Sequence, residues 1–321
     1  MNLVNPIVHK PKRHAARRIL ALISTVLTLA ACDRPQPIAA LDIYREYPPG
    51  KELFELSNGV NEFDLLHVDG FYYMFHHDFN ALHTSVRRAA TLDSLVNAPD
   101  FDVLPGLYPT AIYDGGLWHA WVYDGAHTVH YTASNWSGPY TKADTIDIFA
   151  ASDWSVRKNP LDGQYYASYK DGRTGLAMLE RARSPNGPWN ALGRVFPADK
   201  VANWYSAEQA DPYIFFYHGR AYLAFAGWGG RSFKVADGEQ VIGIVELESK
   251  TYHAKQIATR LIRPTQPWQQ RGGGRKIFNP EFIEATDHRP KIVYAVNPSG
   301  SNIQAGWGYV DLDRIVERKG G

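Results

Sequence analysis

The sequence predicts an all-β chain folded as a five-bladed β-propeller. Three observations carry that reading. Helical periodicity is nearly absent beyond the first forty residues, short apolar-aromatic runs recur between Gly, Pro, Asn and Asp, and five such runs pair about a central turn. The five hairpins cover 61–77, 108–123, 152–169, 207–226 and 278–296. They turn at Asp69-Gly70, Asp114-Gly115-Gly116, Asp162-Gly163, His218-Gly219 and near Asp287-His288. Asp-Gly and Gly-Gly supply the positive φ that a tight hairpin needs.

The second strand of each unit is aromatic and β-branched, as at Tyr72-Tyr73, Trp118, Tyr165-Tyr166, Tyr222 and Val293-Tyr294. Gly138-Pro139-Tyr140 and Gly187-Pro188-Trp189, preceded by Ser134 and Ser184, read as loops leading to an outer strand. Trp307 to Leu312 reads as a strand completing the first or last blade. Units recurring every roughly 45 to 70 residues suit blades of four strands. A β-sandwich explains alternating strands but not five similar hairpins in series.

The N-terminus stands apart from this pattern. Lys10, Lys12, Arg13, Arg17 and Arg18 precede an apolar run from Ile19 to Ala31, too short for the ~20 residues of a membrane-spanning helix. The run ends in Leu29-Ala30-Ala31-Cys32, which resembles the lipobox of bacterial lipoproteins. The expected organisation is therefore a signal peptide over 1–31, lipidated Cys32 and a tether over 32–40, and the propeller over 41–321. Acyl chains on Cys32 imply an exported protein held to the membranes of the bacterial envelope. Asp33 resembles an inner-membrane retention signal.

Composition excludes several classes. Cys32 is the only cysteine, so the folded part has neither disulfide nor thiolate zinc site. Setting aside the five basic residues of the leader from the 34 in the chain leaves 29 against 33 acidic ones, a balance of −4. That charge argues against a nucleic-acid partner. Nine Trp and nineteen Tyr serve as strand formers, core fillers and surfaces for sugars.

In a propeller the innermost strand of each blade begins at the mouth of the central channel, where polar residues have no packing purpose. Those positions hold Glu62 and Asp64, Tyr108 and Thr110, Asp153, Glu208 and Asp211, and Asn279 and Glu281. Several carboxylates on one axis repel one another, an arrangement suited to perturbed acidities or to a cation. Residues two apart on a strand share a face, so Glu62 competes with Asp64.

With these residues the chain resembles the five-bladed propeller clan of glycoside hydrolases, closest to family 43 (arabinanases, xylosidases, arabinofuranosidases). The resemblance implies a carbohydrate substrate and an inverting mechanism. It puts Asp64 at the base position, Asp153 at the position that tunes acidity, and Glu208 at the acid position. The sequence departs from the family where Leu65 follows Asp64 in place of proline. Glu208 also lies three residues ahead of Asp211-Pro212 rather than in a Glu-Gly-Pro stretch, so Asp211 competes for the acid. The chemistry needs one carboxyl kept neutral beside others that are ionised.

Trp154, Trp204, Tyr205 and Trp228 flank the acids and are expected to bind substrate together with Asn279 and Glu281. Arg157 and Arg275 are candidates to orient hydroxyls or a uronate. His67, His76 and His77 match no zinc spacing and read as packed or surface residues. No oxygen-rich loop asks for an ion, so neither metal nor cofactor is expected. The alternatives to a hydrolase of this family are a non-catalytic carbohydrate-binding envelope protein and a retaining fructan-type enzyme with Asp64 as nucleophile.

Overall fold

The structure, a computed structural model, describes residues 39–48, 50–55, 60–78, 82–146, 151–230, 239–273, 276–284, 289–297 and 306–316. The leader, Cys32, Arg275 and the Asp287-His288 turn lie outside the described residues. No helix among the described residues is long and apolar enough to cross a membrane.

Two short segments open the chain, β1 (Ala39–Leu41) and β2 (Lys51–Glu55). Blade one is β3 (Val60–Val68), β4 (Phe71–Asp78), β5 (His83–Ala89) and β6 (Phe101–Pro105). Blade two is β7 (Leu107–Asp114), β8 (Leu117–Tyr123), β9 (Thr128–Ala133) and β10 (Thr141–Ile146). Blade three is β11 (Ala151–Lys158), β12 (Tyr165–Asp171), β13 (Ala177–Ala182) and β14 (Asn190–Arg194). Blade four is β15 (Glu208–Tyr217), β16 (Arg220–Trp228), β17 (Val241–Glu246) and β18 (Thr259–Ile262). Blade five takes β19 (Lys276–Glu284), β20 (Pro290–Asn297) and β21 (Gly306–Asp311) from the end of the chain and β2 from its start. The five hairpins read from sequence are the two inner strands of the five blades.

Residues 307–312 therefore belong to blade five, as its third strand, and Lys51 pairs with Tyr309 to add the fourth. This closure joins the two ends of the β-structure and covers an edge that would otherwise be open. A small sheet of β1 with β22 (Arg314–Val316) repeats the closure outside the ring. Strand β1 begins at Ala39, and Leu41 and Ile43 are buried among blades four and five.

Local chemistry matches the turns. Asp69 and Gly70 have φ of 50° and 78°, and His218 and Gly219 have 47° and 77°, the double positive φ of a two-residue hairpin turn. Gly138-Pro139 and Gly187-Pro188 do lie between the third and fourth strands of blades two and three. Apolar side chains fill the spaces between blades. Phe63 and Leu65 share an apolar cluster with Ile283 and Val293, Phe75 with Ala120, Trp121 with Val156, Tyr166 with Ile214, and Tyr222 with Ile292. The axis is left to polar groups.

At that axis lies Arg157. Its Nη2 donates to Asp64 Oδ1 on blade one and to Glu281 Oε2 on blade five at 3.2 Å. Its Nη1 donates to Asp64 Oδ2 at 3.2 Å, to Thr110 Oγ1 of blade two at 3.3 Å, and to the Val156 carbonyl of its own blade at 2.6 Å. Its Nε donates to the Tyr213 hydroxyl of blade four at 2.8 Å. One guanidinium thus bonds to all five blades. Burial works against its charge, but Asp64, Tyr213 and Glu281 outweigh burial and raise its pKa. Removing one partner of a buried ion pair costs about 3–5 kcal/mol. Arg157→Met is therefore expected to lose about that much stability in urea denaturation at pH 8. The loss should shrink at pH 5, where Glu281, already raised by burial and left without its cation, can take up a proton.

Candidate active site

Each innermost strand begins with the same irregularity. Between Val60 and Phe63, Leu107 and Thr110, Ser152 and Ser155, Ala210 and Tyr213, and Phe278 and Glu281, the inner strand advances three residues while its partner advances two. These are five β-bulges at equivalent places, each with one extra residue that re-aims a side chain. Tyr108, Asp153, Asp211 and Asn279 open four of them with φ of 52°, 57°, 48° and 49°. Asp and Asn tolerate this left-handed conformation better than most residues. Pro109, Pro212 and Pro280 follow in three blades, at positions where a bulge releases the N–H from the ladder.

The bulges surround a funnel holding ≈ 330 Å³ of empty space, lined by Glu62, Tyr108, Thr110, Asp153, Trp154, Asp211, Asn279 and Glu281 among others. Carboxylate oxygens of Glu62, Asp153 and Asp211 lie within 4.8 Å of one another. Successive bulges also hold each other in place. Asp153 Oδ2 accepts the Asp211 N–H at 3.3 Å, and Asp211 Oδ2 accepts the Asn279 N–H at 3.0 Å. On blade two, the Tyr108 N–H donates to His77 Nδ1 at 3.1 Å.

Crowding perturbs the acids. Burial, and after it the charge of Asp153, pushes Asp211 up to about 7 against the opposing pull of Lys170 and of the Asn279 N–H. Burial, then Asp153 and Asp211, raises Glu62 well above the usual carboxylate range. Burial and neighbouring Glu62 likewise raise Tyr108, so its hydroxyl stays protonated. Lys170 Nζ stands 2.9 Å from Asp153 Oδ2 and 3.0 Å from Glu208 Oε1. Three carboxylates offer the hard oxygen ligands that calcium or magnesium takes, with water able to complete such a shell.

The structure separates residues that the sequence reading paired. The bulge breaks strict alternation, so Glu62 and Asp64 do not share a surface. Glu62 lines the funnel, whereas Asp64, 1% exposed, lies with Arg157 and accepts from Thr110 Oγ1 at 2.7 Å and the Ala111 N–H at 2.6 Å. Asp211 likewise lines the funnel, while Glu208 is bonded to Lys170 and does not. Asp153, Asn279 and Glu281 stand in the funnel wall, as does Trp154, stacked on Tyr169 at 5.2 Å.

The other expected platforms are elsewhere. Tyr205 is fully buried, its hydroxyl donating to the Lys200 carbonyl and accepting the Ala258 N–H at 3.2 Å. Trp204 lies parallel to Phe225 at 5.5 Å, over Gly227, where a Cβ would come within 2.3 Å of its ring. Trp228 is buried opposite Glu208, with Lys276 Nζ 5.0 Å from its ring centre. These three rings pack blade four rather than the funnel, because the turn carrying Trp204 and Tyr205 folds back onto β16 and β17. His77 is buried against Tyr108, and His76 Nε2 meets Asp100 Oδ1 at 2.8 Å. Sequence reasoning passed over Lys170, whose place on the second strand gave no hint of reaching the funnel. The repeated X-Pro pairs at 108–109, 211–212 and 279–280 were the available signal for the bulges.

No protein-family model matches the chain, and no curated protein matches it in sequence. Solved structures do match. An α-L-arabinofuranosidase from Lactobacillus brevis aligns over 82% of this chain and 92% of its own, with 14% identity and a TM-score of 0.61. The catalytic domain of the Coprinopsis cinerea GH62 α-L-arabinofuranosidase aligns over 82% of this chain and 95% of its own, at 12% identity and a TM-score of 0.56. An exo-β-1,3-galactanase from Phanerochaete chrysosporium aligns over 79% of this chain and 64% of its own, at 15% identity and a TM-score of 0.55. The similarity at these identities is one of fold, the five-bladed propeller.

The funnel has a consequence for stability. Asp211 titrates near 7 in the fold against an ordinary value of about 3.9, so the folded state holds that proton more tightly than the unfolded chain. The stability this confers is fully present below the ordinary value and lost as pH rises through about 7. Asp211→Asn is expected to be more stable than the unsubstituted protein at pH 8, by on the order of 2–4 kcal/mol, and nearly equal to it at pH 4. Thermal melts at the two pH values measure the difference.

Proposed function

We propose that this chain is a glycoside hydrolase acting on an arabinose- or xylose-type linkage or on a bacterial surface glycan. The observation that carries the reading is the meeting of Glu62, Asp153 and Asp211 from three blades, with Asp211 held protonated up to about 7. Glycosidic cleavage needs a neutral carboxyl and an ionised one side by side near neutral pH. The names of the aligned structures support a carbohydrate substrate.

In this reading Asp211 and Glu62 form the reacting pair and share one proton, titrating as a unit. Asp153 is the fixed charge that raises both, and Trp154 and Asn279 contact the sugar. The pair's oxygens lie within 4.8 Å, short of the roughly 6.5–9.5 Å that an inverting pair leaves for water. A close pair is compatible with retention, whereas the family resemblance implies inversion. Asp211 gives its proton to the departing oxygen while Glu62 bonds to the anomeric carbon. Water, losing a proton to Asp211, then displaces Glu62.

A second reading, non-catalytic sugar binding, draws support from the positions that the resemblance assigns to base and acid. Asp64 and Glu208 are both committed to ion pairs, with Arg157 and with Lys170. The export reading completes the proposal: a lipid on Cys32 holds the propeller to the bacterial cell envelope.

Release of reducing ends from a polysaccharide panel by the full chain tests the activity. Glu62→Gln and Asp211→Asn should each lower the rate by about 10²–10⁴-fold, and the unsubstituted rate should fall as pH rises through about 7. Unchanged rates in both variants refute the assignment, and binding without release favours the second reading. The first anomer seen by NMR separates retention from inversion. Cys32→Ser should move the protein from the membrane to the soluble fraction, and its staying with the membrane would refute the anchor.

A further inference from the structure

The funnel acids do not stand alone. Behind them Lys170, on β12 and paired across the ladder with Ser152, extends its ammonium between Asp153 Oδ2 at 2.9 Å and Glu208 Oε1 at 3.0 Å. Its side chain is 19% exposed and that of Glu208 10%. Four carboxyl groups, those of Glu62, Asp153, Asp211 and Glu208, thus face the Lys170 ammonium. Lys276 on β19 is a second ammonium in electrostatic reach of Glu208 and Asp211, and the four acids cannot all be ionised against so few positive charges.

We propose that Lys170 is a positioning residue of the funnel: its ammonium, shared between Asp153 and Glu208, sets how many protons the reacting pair Glu62 and Asp211 holds. Glu208 then acts through the lysine rather than on the substrate. This inference rests on the hydrolase reading for its use but not for its test.

Three geometric facts support it. Asp153 is the only one of the three funnel acids that an ion pair joins to Lys170 among the described residues, so it is the member through which the ammonium reaches the funnel. It also accepts the Asp211 N–H, which fixes its carboxylate against the residue it perturbs. Glu208 lies one short step along β15 from Asp211 and draws the ammonium away from Asp153, so the lysine divides its charge between a funnel acid and one outside it. The electrostatics agree in sign. Burial alone would lower the pKa of Lys170, and Asp153, Glu208 and Asp211 reverse this and raise it well above its ordinary value. Lys170 in turn pulls Glu62 and Asp211 down, while Glu208 pushes Asp211 up.

Carboxyl-¹³C NMR titration of the full chain, labelled at Asp and Glu, reads the Asp211 midpoint directly, with Asp211→Asn assigning its signal. Lys170→Met should move that midpoint upward by about one pH unit or more, and Lys170→Arg, which keeps the charge, should leave it near the unsubstituted value. Glu208→Gln should move it downward. An unchanged midpoint in Lys170→Met overturns the proposal. If that variant does not fold, an unchanged or upward midpoint in Glu208→Gln overturns it. Because the titration needs no substrate, it stands whether or not the polysaccharide panel detects cleavage.

Discussion

Everything at the axis depends on the charge of Arg157. A propeller places the innermost strands of its blades side by side around a channel, and the apolar layers between blades cannot fill that channel's centre. Here a guanidinium from blade three occupies it and spends its donors on Asp64, Thr110, Val156, Tyr213 and Glu281. Its planar fork suits five separate directions in a way that an ammonium does not. Two carboxylates face this one cation. Burial and the charge of Asp64 accordingly raise Glu281 well above its ordinary range, while Arg157 opposes them. The axis is neutral only if the two acids together carry a proton.

Above that axle the five bulges form a second, weaker ring. The side chain opening the bulge of blade three caps the backbone of blade four, and that of blade four caps blade five. The residues that point into the funnel are therefore also the residues that hold its rim. Asp153 and Asp211 cannot swing freely without releasing a backbone N–H, which preorganises both carboxylates.

The same ring is electrostatically unfavourable. Glu62, Asp153 and Asp211 meet in the funnel, and their mutual repulsion is relieved by retained protons and by Lys170. A fold selected for stability alone would replace them by neutral side chains. Keeping the acids trades stability for a proton held near neutral pH. Cations thus sit in two layers: Arg157 bonds to Asp64 and Glu281 at the axis, and Lys170 pairs with Asp153 beside the funnel.

Much of this was legible in the order of residues. Turn chemistry at Asp69-Gly70 and His218-Gly219, aromatic second strands and five similar hairpins specify blades, because hairpins are local and their signals lie within a few residues of one another. The presence of acids at the blade entrances was legible for the same reason. What the chain order could not decide was which acid of each pair faces the funnel. Glu62 and Asp64 differ by two residues, and strict alternation would place them together. A bulge inserts one residue and sends one to the funnel and the other to Arg157. Nor could it show that β2 closes blade five, that Trp204 and Tyr205 turn inward, or that Lys170 reaches Asp153. Those are contacts between distant segments, made only when the ring closes and brings five separate strands to one axis.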